Sequence, residues 1–564
     1  MKRVALIQPP IQDFFQTTIR QEPLGLAYLA AMLEQHNYQV LIIDAFNSPT
    51  SKTIPIPDEL SYTRAYYHPG DISPFKLFQQ FRHFGASIDS ILNRIRDFQP
   101  DAIGISMNFS PYADTAMEIA RQCKQELPNI PIIAGGHHAA AAPELVLKNS
   151  HVDFVILGEG EQTLLALLQA LGQQSSGAWQ KIAGIAFRQE GGICVNPPAT
   201  FIENLDSLPA PSSDSHRSHK MLMTSRGCPK RCEFCSIHRV MGRKVRFHSI
   251  GRVLSEIRQA IVNGATHIDF EDDTFTINRD RTIALLQAII NEFANDNITF
   301  SALNGIDPCS LDEEIICLLK KTGFEWLNLP LVSSHTGTQT RIQRNTNARQ
   351  FHEIISLAVN HELKVVAYII LGLPDDTIDD MIEDILFLSE QQVLIGPSIF
   401  YPPPGTPIYE TCIQRGYIKR GDMIRLRSSA IPVETEQFTR TDIVTLFRLV
   451  RMLNYIKSLA DDNLTENCNL LDFITTHFEN PDRAIFPQKL SRMEIGIRLL
   501  HKVVVDKQLT GLSMQKITDN SFHYTKIPYN INDTIVKKMV DQLQNRRIVG
   551  VQNSIGIIVS RKSS

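Results

Sequence analysis

Three cysteines within eight residues constrain this chain more than any other feature: Cys228, Cys232 and Cys235 in Arg226-Gly-Cys-Pro-Lys-Arg-Cys-Glu-Phe-Cys-Ser236. The spacing C-x3-C-x2-C puts three thiolates on one tight loop, which suits three irons of a cubane and leaves the fourth open to an outside ligand. A closed zinc site asks for four ligands. His238 is close in sequence, but its spacing is unusual for a zinc knuckle. Nine cysteines over 564 residues, an odd number, and an opening Met1-Lys2-Arg3 that does not read as a secretory signal point to free thiols in a reducing compartment. The other six (Cys123, Cys194, Cys309, Cys317, Cys412, Cys468) fall mostly in apolar or helical patterns and read as buried fillers.

A chain of this length exceeds one hydrophobic core and should divide into roughly three or four domains. Its 56 basic and 60 acidic residues give a net charge of −4, which offers no general affinity for nucleic acid or an anionic membrane. No apolar run approaches the roughly 18 residues of a spanning helix, so no transmembrane segment is expected. The cytoplasm is the expected location, with peripheral membrane contact left open.

Residues 1–172 alternate short apolar runs with amphipathic helices, the pattern of a doubly wound sheet. Val4–Ile7, Val40–Asp44, Ala102–Ser106, Pro131–Gly135 and Phe154–Leu157 read as five parallel strands in flavodoxin-like order, a fold that binds ligands beyond the carboxyl ends of its strands. Gly135, Gly136, Gly158 and Gly160 lie at those ends, where they also suit plain turns. Residues 47–85 form a long aromatic insertion, either a lid or packing. Residues 173–215 read as a hairpin and linker, and residues 216–425 as strands alternating with helices in a (β/α) barrel, whose reactive groups gather at the strands' C-terminal ends. Residues 426–564 read as mainly helical, with a final helix and hairpin suggesting a winged-helix-like end. The expected fold class is α/β throughout the first three segments.

The cysteine motif, preceded by the short strand Met221–Thr224 and carrying Phe234 before its last cysteine, resembles the radical S-adenosylmethionine (SAM) superfamily. The resemblance implies a [4Fe-4S] cluster on Cys228, Cys232 and Cys235, SAM chelating the open iron, and Phe234 near the adenine. Glu271-Asp-Asp-Thr-Phe-Thr276 is similar to the family's stretch near SAM's amino acid moiety, nominating Asp272 and Asp273, although an acidic helix start explains part of it. Arg344 and Gly372 match late barrel motifs. Where relatives carry Glu-Ser-Gly-Ser, this chain has Val332-Ser-Ser-His335, so the usual glutamate is missing and Ser333 is the matching candidate.

The N-terminal segment resembles the cobalamin-binding domain found ahead of many radical SAM domains. Pro23–Ala30, Gly135-Gly-His-His138 and Gly158-Glu-Gly-Glu161 stand at its recurrent motifs, nominating Gly135, Gly136, His138, Gly158, Glu159, Gly160 and Glu161 for cobalamin. No Asp-x-His-x-x-Gly occurs, so no histidine is nominated as a lower ligand to cobalt.

Together these resemblances imply a cobalamin-dependent radical SAM enzyme that methylates an unactivated carbon of a small molecule or lipid. It would be reduced by an external donor such as flavodoxin or ferredoxin, and no nucleic acid partner is expected. The alternatives are a cyclase or other oxidative rearrangement enzyme with the same cofactors, and a cobalamin or cluster sensor. The tRNA methylthiotransferases share the triplet, but their second set of cysteines is absent from the N-terminal third.

Overall fold

The computed structural model describes residues 2–16, 22–47, 50–173, 177–211, 217–463, 485–486, 488–519 and 521–546. The hairpin expected at 548–559, and with it the winged-helix-like end, lies outside the described residues, as does Cys468.

The apolar runs at the start of the chain pair as expected. Gln39–Asp44, Arg3–Gln8, Ala102–Ser106, Ile132–Gly135 and Phe154–Ile156 lie side by side in that order, all parallel. The inner strands are buried on both faces by helices, so they read as continuous apolar runs rather than alternating ones, while the edge strand Gln39–Asp44 is only half-buried. Leu24–Gln35 and Glu161–Gly172 cover one face, while Ile88–Phe98 and Ala113–Glu126 cover the other. Ile88–Phe98 is capped by Ser87, whose hydroxyl accepts from the Ser90 amide, and it turns Ile91, Leu92 and Ile95 inward.

The hairpin of Ile185–Gln189 and Gly192–Val195 is not a free connector. It extends the sheet, because Ile185–Phe187 pairs antiparallel with Phe154–Ile156.

Six parallel strands form the partial barrel in two groups of three: His219–Leu222, His267–Phe270 and Thr299–Ser301, then Trp326–Val332, Lys364–Leu371 and Leu394–Ile399. A parallel bridge between Phe300 and Phe324 joins the groups. The stacked rings of Phe270, Phe275 and Phe300 fill the barrel beneath that joint.

The aromatic insertion packs rather than covers. Arg82–Phe84 pairs antiparallel with Ile11–Asp13 on one side and Ser51–Thr53 on the other in a small sheet, while the Tyr62 and Tyr67 hydroxyls donate to the Ala430 and Ser429 carbonyls. Buried Arg448 donates to the Tyr66 and Phe75 carbonyls, fastening the insertion to the helix Arg440–Asn463. That helix in turn lies on the last barrel strand, where Asn454 bonds both the amide and the carbonyl of Ile395. Beside its helices the C-terminal part carries an antiparallel hairpin that the sequence reading did not name, Thr510–Thr518 with Ser521–Pro528, extended by Ile485–Phe486.

Candidate functional site

The loop of the cysteine triplet leaves the first barrel strand at its C-terminal end. Gly227 begins it with φ +99, and a Cβ there would sit 2.4 Å from the Lys244 carbonyl oxygen, so only glycine fits. Its amide donates to Asp273 at 3.1 Å, and its carbonyl accepts from the Thr274 hydroxyl. All three cysteines are free thiols, with Cys232 buried and Cys228 and Cys235 half-buried. Burial pushes Cys235 up to about 11, helped by the nearness of Cys232 and Cys228, so the three sulfurs share one small region. Among the described residues no three His, Cys, Asp or Glu side chains converge tightly enough for a single ion. The triplet is thus more open than a closed zinc site, as ligands that each take a different iron have to be. The donor set and the shared loop fit a cubane.

Asp272 supports this loop from below. Its Oδ1 accepts from the Thr224 amide, the Ser225 amide and the Ser225 hydroxyl, while burial raises its pKa to about 7. Expected near SAM, Asp272 is instead wholly buried as a brace for the loop. Asp273 keeps an open side and also braces Gly227. Phe234 is half-buried on the same loop, its ring against the barrel core.

Two further nominated residues turn away from the loop. Ser333 is fully buried and donates to Asp384, whose carboxylate also takes the Ser334 amide and hydroxyl. Gly372 is buried under Phe438 and Ile443 of the C-terminal part, so its role is packing. Val332, where relatives carry glutamate, has φ +73, an uncommon conformation for a β-branched residue, beside a bulge in its strand. Arg344 donates to the Pro330 carbonyl and lines a cavity of about 860 Å³ with Lys230, Thr276 and Asp307 at the ends of the second to fourth strands.

In the N-terminal sheet, Gly136 ends a strand at φ +105, where a Cβ would meet Asn108 Oδ1 at 2.4 Å. The chain then turns into the short helix His137–Ala141. His138 is 3% exposed, its Nδ1 lies 2.9 Å from the Ser110 hydroxyl, and burial lowers its pKa to about 4. Gly135 remains partly open at the strand end, and Gly158 has φ +79 with the Val240 and Arg239 carbonyls close by.

Glu159 and Glu161 depart from the cobalamin expectation. Both are buried, and Arg226, two residues before Cys228, donates to Glu159 at 3.0 Å and to Glu161 at 2.7 Å. Arg246 donates to the other oxygen of Glu159 at 2.8 Å, and the Ile202 amide reaches the same atom. The Arg226 guanidinium also lies over the Tyr28 ring, 4.9 Å from its centroid. Burial alone would lower the pKa of Arg226, but Glu161 and Glu159 raise it, so the guanidinium keeps its charge. Neither arginine stood out in the sequence. The signal was Glu-Gly-Glu at one strand end and an arginine entering the cysteine loop, with nothing to say that they meet.

This clamp brings the two sets of strand ends together. The loop around Gly405 wedges between the helices His137–Ala141 and His238–Met241, a Cβ there lying 2.8 Å from Arg239 Nε and 3.1 Å from Ala141 Cβ. Phe109 is 60% exposed, and Tyr401, just after the last barrel strand, keeps 37% of its surface open. Tyr112 donates to Asp13 and lies under Arg427, which pairs with Asp13 and donates to the Gln12 and Pro111 carbonyls. Partly open Gly135 and the glycine-only turn at Gly136 leave the strand end free of side chains, which fits a flat, bulky group such as cobalamin.

Comparison with known proteins agrees. The B12 binding domain model matches residues 79–168, and the radical SAM superfamily model matches residues 222–388. An uncharacterized methyltransferase of Pyrococcus horikoshii is 26% identical over 81% of this chain and 93% of its own length. Cytidylyl-2-hydroxyethylphosphonate methyltransferase of Streptomyces wedmorensis is 25% identical over 74% of this chain and 83% of its own. The structure of the cobalamin-dependent SAM radical enzyme OxsB, with aqua-cobalamin and SAM bound, shares the fold at a TM-score of 0.60 and 16% identity, covering 98% of this chain and 82% of that one. Cluster loop, glycine-bearing strand ends and matched domains thus agree on one identity: the chain is a radical SAM enzyme with an N-terminal B12-binding domain, of the cobalamin-dependent kind.

Proposed function

We infer that the protein transfers a methyl group to an unactivated carbon of a small molecule or lipid. The observation that carries this reading is the Arg226 clamp, which ties the loop of Gly158–Glu161 to the loop of Cys228–Cys235. Two cofactor loops held in register suit a reaction in which hydrogen is removed and a carbon group delivered at one substrate position. When bound, the cluster, SAM and cobalamin supply the hydrogen-abstracting radical and the methyl group. The chain's own residues hold the two loops together, and the exposed Phe109 and Tyr401 rings offer apolar contact to a substrate.

The methyltransferase names of the two relatives support the reaction class. We place Phe234 and Asp273 at the SAM side, Arg344 at the rim of the neighbouring cavity, and Gly135, Gly136, Gly158 and Gly160 at the cobalamin side. A reducing cytoplasm suits this chemistry, and a small external protein would provide electrons. Among the described residues no helix is long and apolar enough to cross a membrane. The test is to compare metabolites of deletion and complemented strains grown anaerobically. A compound that lacks one methylene in the deletion strain supports the reading, and an unchanged carbon count with an altered ring count would refute it.

A further inference from the structure

Resting on the reading of the cysteine loop as a cluster site, we propose that the recess over Cys232 is the docking surface for an acidic one-electron carrier protein. The chain holds one cysteine triplet, and its other six cysteines are spread singly along the sequence, so no second cluster motif is present to relay electrons inward. The electron has to arrive at the outer side of the loop itself. Cys232 lines a recess of about 460 Å³ together with Arg231, Glu233, His238, Arg239, Arg243 and Gln343, among others. The thiol expected to hold iron is therefore the floor of a surface depression.

The charge around that depression is lopsided. Arg231, Arg239 and Arg243 are exposed, and none has an acidic partner among the described residues. Arg239 donates to the Gly405 carbonyl and Arg243 to the Lys230 carbonyl, bonds that aim the guanidiniums without cancelling their charge. Of the carboxylates lining the recess, Glu410 is paired with Arg420 and Glu233 accepts from the Gln343 amide. Three arginines thus face outward against a single carboxylate that lacks a cation, although the whole chain is mildly acidic at −4. A basic patch confined to the cluster loop of an otherwise acidic protein steers an acidic partner to that loop, raising the encounter rate and fixing its orientation. The step is a one-electron transfer: the carrier's reduced flavin loses one electron and the cluster gains it, with no bond made or broken.

The test titrates anaerobically reconstituted full-length protein with an acidic bacterial flavodoxin and measures the dissociation constant at low and at high salt. Arg231→Glu, and separately the triple charge reversal at Arg231, Arg239 and Arg243, should weaken binding by about tenfold or more while iron content is retained. Salt should weaken binding to the parent protein as well. Lys52→Glu, on the small sheet of the insertion, should leave it unchanged. Arg231 makes no internal hydrogen bond among the described residues, so its single substitution stays informative even if the triple variant loses its iron. Equal affinity of the parent and Arg231→Glu, with iron retained in both, would overturn the proposal, as would binding indifferent to salt. Either result leaves the cluster assignment standing. A parent that binds no iron would instead overturn that assignment.

Discussion

Arg226 donates to Glu161 at 2.7 Å, joining the loop that carries Cys228 to the first turn of a helix in the N-terminal sheet. Both side chains are almost fully buried, 3% and 6% exposed, so the pair is shielded from salt. Removing one partner strands the other's charge. Arg226→Ala leaves two buried carboxylates, Glu159 and Glu161, with Arg246 alone to answer them. The expected cost is about 3–5 kcal/mol, read as a fall in the urea midpoint of the segment spanning both loops. Arg226→Lys should lie between, because an ammonium keeps the charge but cannot fork to two carboxylates.

The cluster assignment is tested by composition. Anaerobically reconstituted protein should hold about four irons, the stoichiometry of one cubane. The triple Cys→Ala variant at Cys228, Cys232 and Cys235 should hold none. Single replacements at Cys123 or Cys412, which are isolated and buried, should leave the iron count unchanged.

Gly136 offers a test of the corrin side. With φ +105 and a Cβ position 2.4 Å from Asn108, even Gly136→Ala has to shift the turn, and Gly136→Trp fills the space beyond the strand end. Cobalamin retention, measured by absorbance after desalting, should be lost in Gly136→Trp while iron is kept, since Cys228–Cys235 lie on a different element.

His138 makes the acid limb of stability partly predictable. Burial lowers its pKa from 6.5 to about 4, so between those values the unfolded chain binds a proton that the folded chain does not. Its contribution is full above pH 6.5 and is lost as the pH falls through about 4. The unfolding midpoint of His138→Gln should therefore fall less steeply from pH 7 to pH 4.5 than that of the parent. His248 and His267, also lowered to about 4, keep part of the slope in both proteins.

The strand series of the N-terminal half was legible because parallel strands buried on both faces are runs of apolar residues, as in Val4-Ala-Leu-Ile7. The cysteine loop was legible from spacing alone. Motif position placed Glu159, Glu161, Ser333 and Gly372 at strand ends but could not say which way they face. Glu159 and Glu161 turn inward because buried Arg226 and Arg246 offer partners from distant sequence, and Ser333 because Asp384 does. The last barrel strand, Leu394–Ile399, was hidden by Gly396 and Pro397, which weaken a strand reading yet are tolerated at the edge this strand occupies. The hairpin of Thr510–Pro528 was hidden because much of its surface is exposed and polar, so it lacks a clean apolar alternation.

The central claim, that the chain is a methyltransferase using both sets of strand ends at one substrate, is tested most directly by isotope. Reconstituted protein with cobalamin, its substrate and SAM labelled in the methyl group should place the label in the product, releasing 5'-deoxyadenosine and S-adenosylhomocysteine in near-equal amounts. An unlabelled product accompanied by 5'-deoxyadenosine alone would contradict it.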